Sequence, residues 1–105
     1  MTRTPIHPGE MLADELHDLG MSAAALARAL HVPATQVTGI LNGTRAITAD
    51  TALRLGQWFG TGPELWLNLQ KQYELRLAEQ AVGEEITRTI VPRAISTEPI
   101  VATHP

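Results

Sequence analysis

Helix-breaking residues divide the first two thirds of the chain into short segments, and the apolar residues within each segment recur at helical spacing. Glycine or asparagine follows most segments, as expected at helix C-termini, and a proline stands at the start of several, where its missing N–H is harmless. The breaks are Gly20, His31-Val32-Pro33, Asn42-Gly43 and Gly60-Thr61-Gly62. This punctuation predicts an all-α domain of five helices.

The predicted helices are bounded by recognisable caps. Ser22 and Thr48 are good N-cap residues, and Pro63 suits a first helical turn. The first helix is predicted from His7-Pro8-Gly9-Glu10 to Gly20, the second from Ser22 to Leu30, the third from Pro33 or Ala34 to Leu41, the fourth from Thr48 to Phe59, and the fifth from Pro63 to about Ala78 or beyond.

The character of the chain changes after Gly83. Residues 83–105 contain three prolines and many threonines and β-branched residues. Ile86, Arg88 and Ile90 alternate with threonines, so this stretch is either one short β-strand or part of a flexible terminus. We therefore expect a helical domain over residues 1–82 and a C-terminal tail over 83–105.

The composition excludes several classes of protein. The 105 residues suffice for one small domain, and the absence of cysteine excludes disulfides and thiolate metal sites. The histidines lack metal-ligand spacing, and no nucleophile–base pair or phosphate loop is visible, so we expect neither a metal, a cofactor nor an enzyme. No signal peptide or membrane span is recognisable, which favours a cytoplasmic protein.

Charge is distributed unevenly along the acidic chain. The formal net charge is -3, but residues 20–60 carry three arginines against one aspartate, and the other segments are negative. The positive block contains the second and third predicted helices. A contact with phosphates would therefore be made there.

Two short helices joined by a tight connection predict a helix-turn-helix. Ala27 is small enough for a close crossing, and Val37 and Ile40 suit the anchoring of the second helix. Its start carries short polar residues, of which Gln36 could pair with adenine and Thr35 could touch a base edge in the major groove. The candidate DNA-binding residues are Ser22, Arg28, Ala34, Thr35, Gln36, Thr38, Gly39, Asn42, Thr44 and Arg45.

Several of these residues have plainer interpretations. Arg45, in a glycine-containing loop after the third helix, is the leading phosphate contact. Arg28 could instead be an exposed solubilising residue, Ser22 only a cap, and Asn42 only a helix end, whereas Arg54 is expected to be structural or solvent-facing. Aromatic and leucine side chains are assigned to the core or to a dimer interface, and the candidate interface residues are Trp58, Trp66, Leu67 and Leu75.

Three segments carry a resemblance to a known family. They are "HPGEMLADEL" (7–16), "LARALHVPATQVTGILNGTRAITADTALRLGQWFGTGPELWLNLQ" (26–70) and, more loosely, "KQYELRLAEQ" (71–80). They resemble the HigA/VapI antitoxins, phage-repressor-like (XRE-type) helix-turn-helix proteins. The resemblance implies a five-helix lambda-repressor-like fold, a homodimer, binding to a toxin–antitoxin promoter, and neutralisation of a HigB-type, RelE-like toxin that cleaves mRNA.

The sequence departs from the usual family pattern at a few positions. Ala23 and Ala24 stand where many relatives have a glutamine and an aromatic residue, and Thr35 and Gln36 where arginines are frequent. His31 replaces a frequent glycine, which indicates a backbone with φ above zero that histidine tolerates. These differences concern the operator rather than the fold.

Three functions are compatible with the sequence. The chain could be an antitoxin that represses its own operon at a pseudo-palindromic operator in the nucleoid, a stand-alone regulator without a toxin, or an interaction module that no longer binds DNA. A toxin could be bound by the tail, as an added strand, or by the acidic first helix around Asp14, Glu15 and Asp18.

Overall fold

Five helices follow one another in the computed structural model, which describes residues 4–93, and no strand occurs within that range. The all-α, five-helix prediction is thereby confirmed. The helices are α1 (Pro8–Leu19), α2 (Ala23–Leu30), α3 (Ala34–Leu41), α4 (Ala49–Phe59) and α5 (Pro63–Thr89).

Side chains close most helix N-termini as the sequence predicts. The Ser22 hydroxyl accepts the Ala25 N–H at 3.1 Å, and the Thr48 hydroxyl accepts the Thr51 N–H at 3.3 Å. The sequence did not predict the cap of α1, which is His7. Its Nδ1 accepts the Gly9 N–H at 2.9 Å. Each bond satisfies an amide that the helix itself leaves without a partner.

The core lies where α1, α3 and α5 meet the α2–α4 pair. Helix α1 packs on α3 and α5, α2 on α3 and α4, and α4 on α5. A Cβ at Gly56 would lie within 2.5 Å of the Gly62 carbonyl oxygen, so α4 and the start of α5 approach backbone to backbone. The largest fully buried side chains are Trp66, Leu12, Leu26, Ile40, Leu55 and Val37.

A buried glutamine fastens the α3–α4 loop to α5. Gln70, only 4% exposed, accepts the Ile47 N–H at 2.8 Å and donates through Nε2 to Glu74 at 3.0 Å. The hydrogen bond from Gln70, followed by that from Lys71, holds the pKa of Glu74 below its usual value. The loop that follows α3 therefore has a fixed position.

Helix α5 continues through the position where the tail was expected to begin. The strand alternative over residues 86–90 is wrong, because these residues form the last helical turn and its end at Ile90. The hydroxyls of Thr87 and Thr89 donate to the carbonyls of Gly83 and Glu85 at 3.0 and 2.7 Å, which keeps threonine compatible with the helix. The proposed flexible terminus beyond residue 93 lies outside the described residues.

The far half of α5 projects away from the packed core. Nearly every residue after Gln80 is exposed, including Val82 and Ile86. Of the helices within residues 4–93, none has the length and apolar character needed to cross a membrane.

Candidate nucleic-acid interface

The turn between α2 and α3 is fixed by the backbone conformation of His31 and by the side chain of Arg54. His31 ends α2 in the left-handed region, with φ 61° and ψ 45°, which confirms the backbone expected there. Arg54 of α4 donates to the Leu30 carbonyl at 2.8 Å and to the His31 carbonyl at 3.4 Å. Arg54 therefore has the structural role that the sequence suggested.

Helix α3 is fixed by one face and open on the other. Val37 and Ile40 are 2% and 1% exposed and belong to the hydrophobic core together with Ala27 of α2, the helix on which α3 packs. On the opposite side, Ala34, Thr35 and Thr38 are exposed. Pro33 provides no side-chain cap, so this exposed face begins at an uncapped helix N-terminus.

Gln36 lies at the border between these two faces. It is half-buried rather than fully on the surface, and its Nε2 donates to Thr51 Oγ1 at 2.7 Å. Thr51, on the first turn of α4, is 1% exposed. An open groove of about 480 Å³ runs beside this pair between α3 and α4, and Arg45 and Asp50 also line it.

Gly39, one of the candidate DNA-binding residues, does not lie on the exposed face of α3. It is buried because the Arg45 side chain lies across it, and a Cβ added there would come within 2.7 Å of the Arg45 Cγ and Cδ atoms. The Gly39 carbonyl also accepts the N–H groups of Thr44 and Arg45, at 2.9 and 3.1 Å. Gly39 thus shapes the loop and makes room for Arg45 instead of offering a contact itself.

The interface carries a small excess of positive charge. Asp50 is paired with Arg54 at 2.7 Å, so its carboxylate is compensated. Arg28 and Arg45 are exposed, and no ion pair within residues 4–93 involves either of them. Both guanidinium groups remain available to an external anion.

Other predicted contact residues use part of their hydrogen-bonding capacity within the fold. The Thr38 hydroxyl donates to the carbonyls of Ala34 and Thr35, each at 3.2 Å, and the Thr44 hydroxyl donates to Gly39 at 3.2 Å. Their oxygens and methyl groups can still face a partner. Ser22 and Asn42 are exposed, Ser22 as the N-cap of α2 and Asn42 as the C-cap of α3.

The candidate dimer residues lie in different environments. Trp66 is 1% exposed inside a single chain, so assigning it to a dimer surface was wrong, because helical spacing alone cannot distinguish a core from an interface. Leu67 packs partly against the same core. Trp58 and Leu75 are 39% and 53% exposed and can reach a partner.

Sequence reasoning missed the residues that hold the interface from behind. Thr51 is separated from Gln36 by fifteen positions, and no local pattern signals that contact. Gln70 was detectable in principle, because it is a polar residue at helical spacing between Trp66 and Tyr73 on one face of α5. Within the part of the chain that the structure describes, no group of three or more potential metal-ligating side chains occurs.

Fold and interface together define a helix-turn-helix protein, with α2 as the supporting helix and α3 as the exposed one. The helix-turn-helix family matches residues 12–66. A HigA-family addiction module antidote protein from Coxiella burnetii is 54% identical, with a TM-score of 0.84 over 86% of this chain and 99% of that one.

Two further relatives agree with this assignment. Pseudomonas aeruginosa antitoxin HigA, solved with the higBA promoter, is 48% identical with a TM-score of 0.83, over 87% of this chain and all of that one. Virulence-associated protein I of Dichelobacter nodosus is 53% identical over 71% of this chain and 70% of its own. The chain belongs to the HigA family of helix-turn-helix proteins, whose members are regulators and antitoxins rather than enzymes.

Proposed function

We propose that this protein is the antitoxin of a HigBA-type toxin–antitoxin operon and represses that operon by binding its operator as a homodimer. The observation that carries the DNA-binding part is the exposed face of α3, with Thr35, Gln36 and Thr38 beside the unpaired guanidinium of Arg45. The HigA relative solved with its promoter supports the same assignment. Such a protein acts at the nucleoid, in the bacterial cytoplasm.

A gel shift on the protein's own promoter fragment tests this role. Replacing Gln36 and Arg45 together by glutamate is expected to abolish the shift, because it places two carboxylates against the DNA. Arg88→Glu reverses one charge on the exposed far end of α5 and should leave binding nearly unchanged. Binding by the double variant at wild-type affinity would exclude α3 as the reading surface.

The homodimer is supported by a stripe of apolar side chains on α5. Leu75, Val82 and Ile86 recur at spacings of seven and four residues, on one face of the helix, and are 53%, 41% and 46% exposed. A second copy would cover this stripe. A two-fold dimer places its two α3 helices about 34 Å apart for adjacent major-groove sites, which requires a pseudo-palindromic operator.

Sedimentation of two variants tests that interface. Leu75→Glu combined with Val82→Glu should produce monomers that bind the promoter weakly. The matched control is Leu77→Glu, since Leu77 is similarly exposed, at 41%, on a different face of α5. A dimer that survives the first variant, or is lost in the control, would contradict this location of the interface.

Toxin neutralisation is the remaining part of the proposal. The exposed carboxylates Asp14 and Asp18 of α1 suit a basic partner such as an RNA-cleaving toxin. Co-expression with the product of the neighbouring open reading frame should suppress its mRNA cleavage, and Asp14→Lys with Asp18→Lys should weaken that suppression. Binding of the promoter without any effect on the neighbouring product would instead indicate a stand-alone regulator.

A further inference from the structure

Among the side chains of α3, all of which lie in the described part of the chain, only Gln36 is hydrogen-bonded to a buried residue of another helix. Its Nε2 donates to Thr51 Oγ1 at 2.7 Å across the gap between α3 and α4. We propose that Thr51 is a positioning residue that sets Gln36 to read adenine in the major groove. This inference rests on the DNA-binding function proposed above and specifies its chemistry.

The chemistry of the amide explains why adenine is the base selected. A primary amide has two N–H donors and one carbonyl acceptor. Thr51 occupies one N–H, so Gln36 retains the other N–H and Oε1. These are the two groups that pair with adenine N7 and N6 in the major groove.

Thr51 is itself held firmly, which makes it an effective support. It is 1% exposed on the first turn of α4. Its N–H donates to the Thr48 hydroxyl at 3.3 Å, and the Thr48 hydroxyl lies 3.2 Å from Thr51 Oγ1. Gln36 is therefore tied to the capped end of another helix and not only to α3.

Fixing a side chain before binding increases selectivity. A free glutamine loses rotamer freedom when it contacts a base, whereas a fixed one has already lost it in the unbound protein. A free glutamine can also rotate to present its donor to guanine or its acceptor to cytosine. The bond to Thr51 opposes such rotation and should disfavour the wrong bases more than the right one.

Selection from a pool of randomised DNA duplexes tests the proposal, because the selection itself reveals the preferred site. The wild-type chain should enrich a two-fold symmetric site. One adenine in each half-site should be preferred by the wild type but no longer by the Gln36→Ala variant. At that position we expect discrimination of about tenfold or more, as for a bidentate contact. Thr51→Val removes the acceptor with little change of shape and should reduce the discrimination to about threefold or less.

Thr51→Ser, together with the base preferences at the other positions of the selected site, distinguishes a positioning role of Thr51 from a purely structural one. Thr51→Ser keeps the hydroxyl and should restore the preference for adenine. If Thr51 served only the stability of α4, Thr51→Val would weaken binding to all sites equally and leave every base preference intact, which would overturn the proposal. A wild-type chain that enriches no sequence would contradict the DNA-binding function itself.

A second measurement needs no substitution at Thr51. Side-chain amide relaxation in the free protein should give Gln36 an order parameter near that of rigid backbone, about 0.85, while exposed Gln57 of α4 falls below about 0.6. Equal mobility of the two side chains would refute the preset geometry even if Thr51→Val failed to fold.

Discussion

Helices α2 and α3 are both eight residues long, yet they are held in opposite ways. Side chains fasten α2 at both ends, Ser22 at its start and Arg54 at its last carbonyl. Helix α3 has no side-chain cap at its start and depends on its buried face and on the loop behind it. The supporting helix is thus closed at its ends, whereas the reading helix keeps its exposed end free for DNA.

The largest expected effect comes from the buried face of α3. Ile40→Ala should lower the free energy of unfolding by about 2–5 kcal/mol, because it leaves a cavity and α3 has no cap to compensate. Urea denaturation measures the change. Leu53→Ala on α4, where leucine is 61% exposed, should change stability by no more than about 0.5 kcal/mol. Similar losses of stability in both variants would mean that the buried side chains Val37 and Ile40 do not hold α3 in place.

Gly39→Ala should separate stability from DNA binding. The new methyl group would displace the flexible Arg45 side chain, and loss of a charged hydrogen bond to phosphate should reduce affinity about tenfold per subunit. Stability should hold or rise by up to about 1 kcal/mol, since alanine favours a helix more than glycine does. Gel shifts and thermal melts on the same samples provide both values, and parallel losses in the two would contradict the assigned role.

Arg54→Met tests the fastening of the end of α2. Two backbone hydrogen bonds disappear, so the free energy of unfolding should fall by about 1–2 kcal/mol. Asp50 then loses its partner beside the groove, and promoter affinity should decrease several-fold through repulsion of phosphates. Adding Asp50→Asn should restore affinity but not stability. If affinity stays low in this double variant, repulsion by the aspartate is not the reason for the weaker binding.

The smallest expected effect is at the start of α2. Ser22→Ala removes the N-cap bond to Ala25 and should cost about 1 kcal/mol of stability. Ser22→Asp, which keeps a capping oxygen, is the matched control and should retain stability while weakening promoter binding through its charge. Chemical denaturation of both variants checks the cap, and equal stability of Ser22→Ala and the wild type would indicate that α2 does not depend on it.

Local signals in the sequence were sufficient to place the helices. Gly20, Ser22, Thr48 and Gly60 bound their helices as expected, because caps and left-handed turns depend on neighbouring residues only. The end of α5 was not predictable in this way. Gly83 is a weak helix breaker, and the threonines that suggested a strand bond back to helical carbonyls instead.

The parts of the interface that depend on distant residues were not predictable either. Nothing near Gly39 in the sequence indicates that Arg45 will lie across it, although a glycine inside a helix can signal close packing. The burial of Trp66 in its own chain arises from the packing of α5 on α4, and the pairing of Gln36 with Thr51 from the approach of α3 to α4. Helical periodicity is the same whether an apolar side chain is buried in its own chain or in a dimer interface.

The bond between Gln36 and Thr51 also bears on how such a protein could acquire a new operator. A substitution at position 36 alone deprives the buried hydroxyl of Thr51 of its Gln36 donor, whereas Ala34, Thr35 and Thr38 can vary without that penalty. Drift in the family should therefore be limited at those three positions only by the operator, and correlated between 36 and 51. An engineer who wishes to redirect this protein to another promoter should randomise 36 and 51 as one unit.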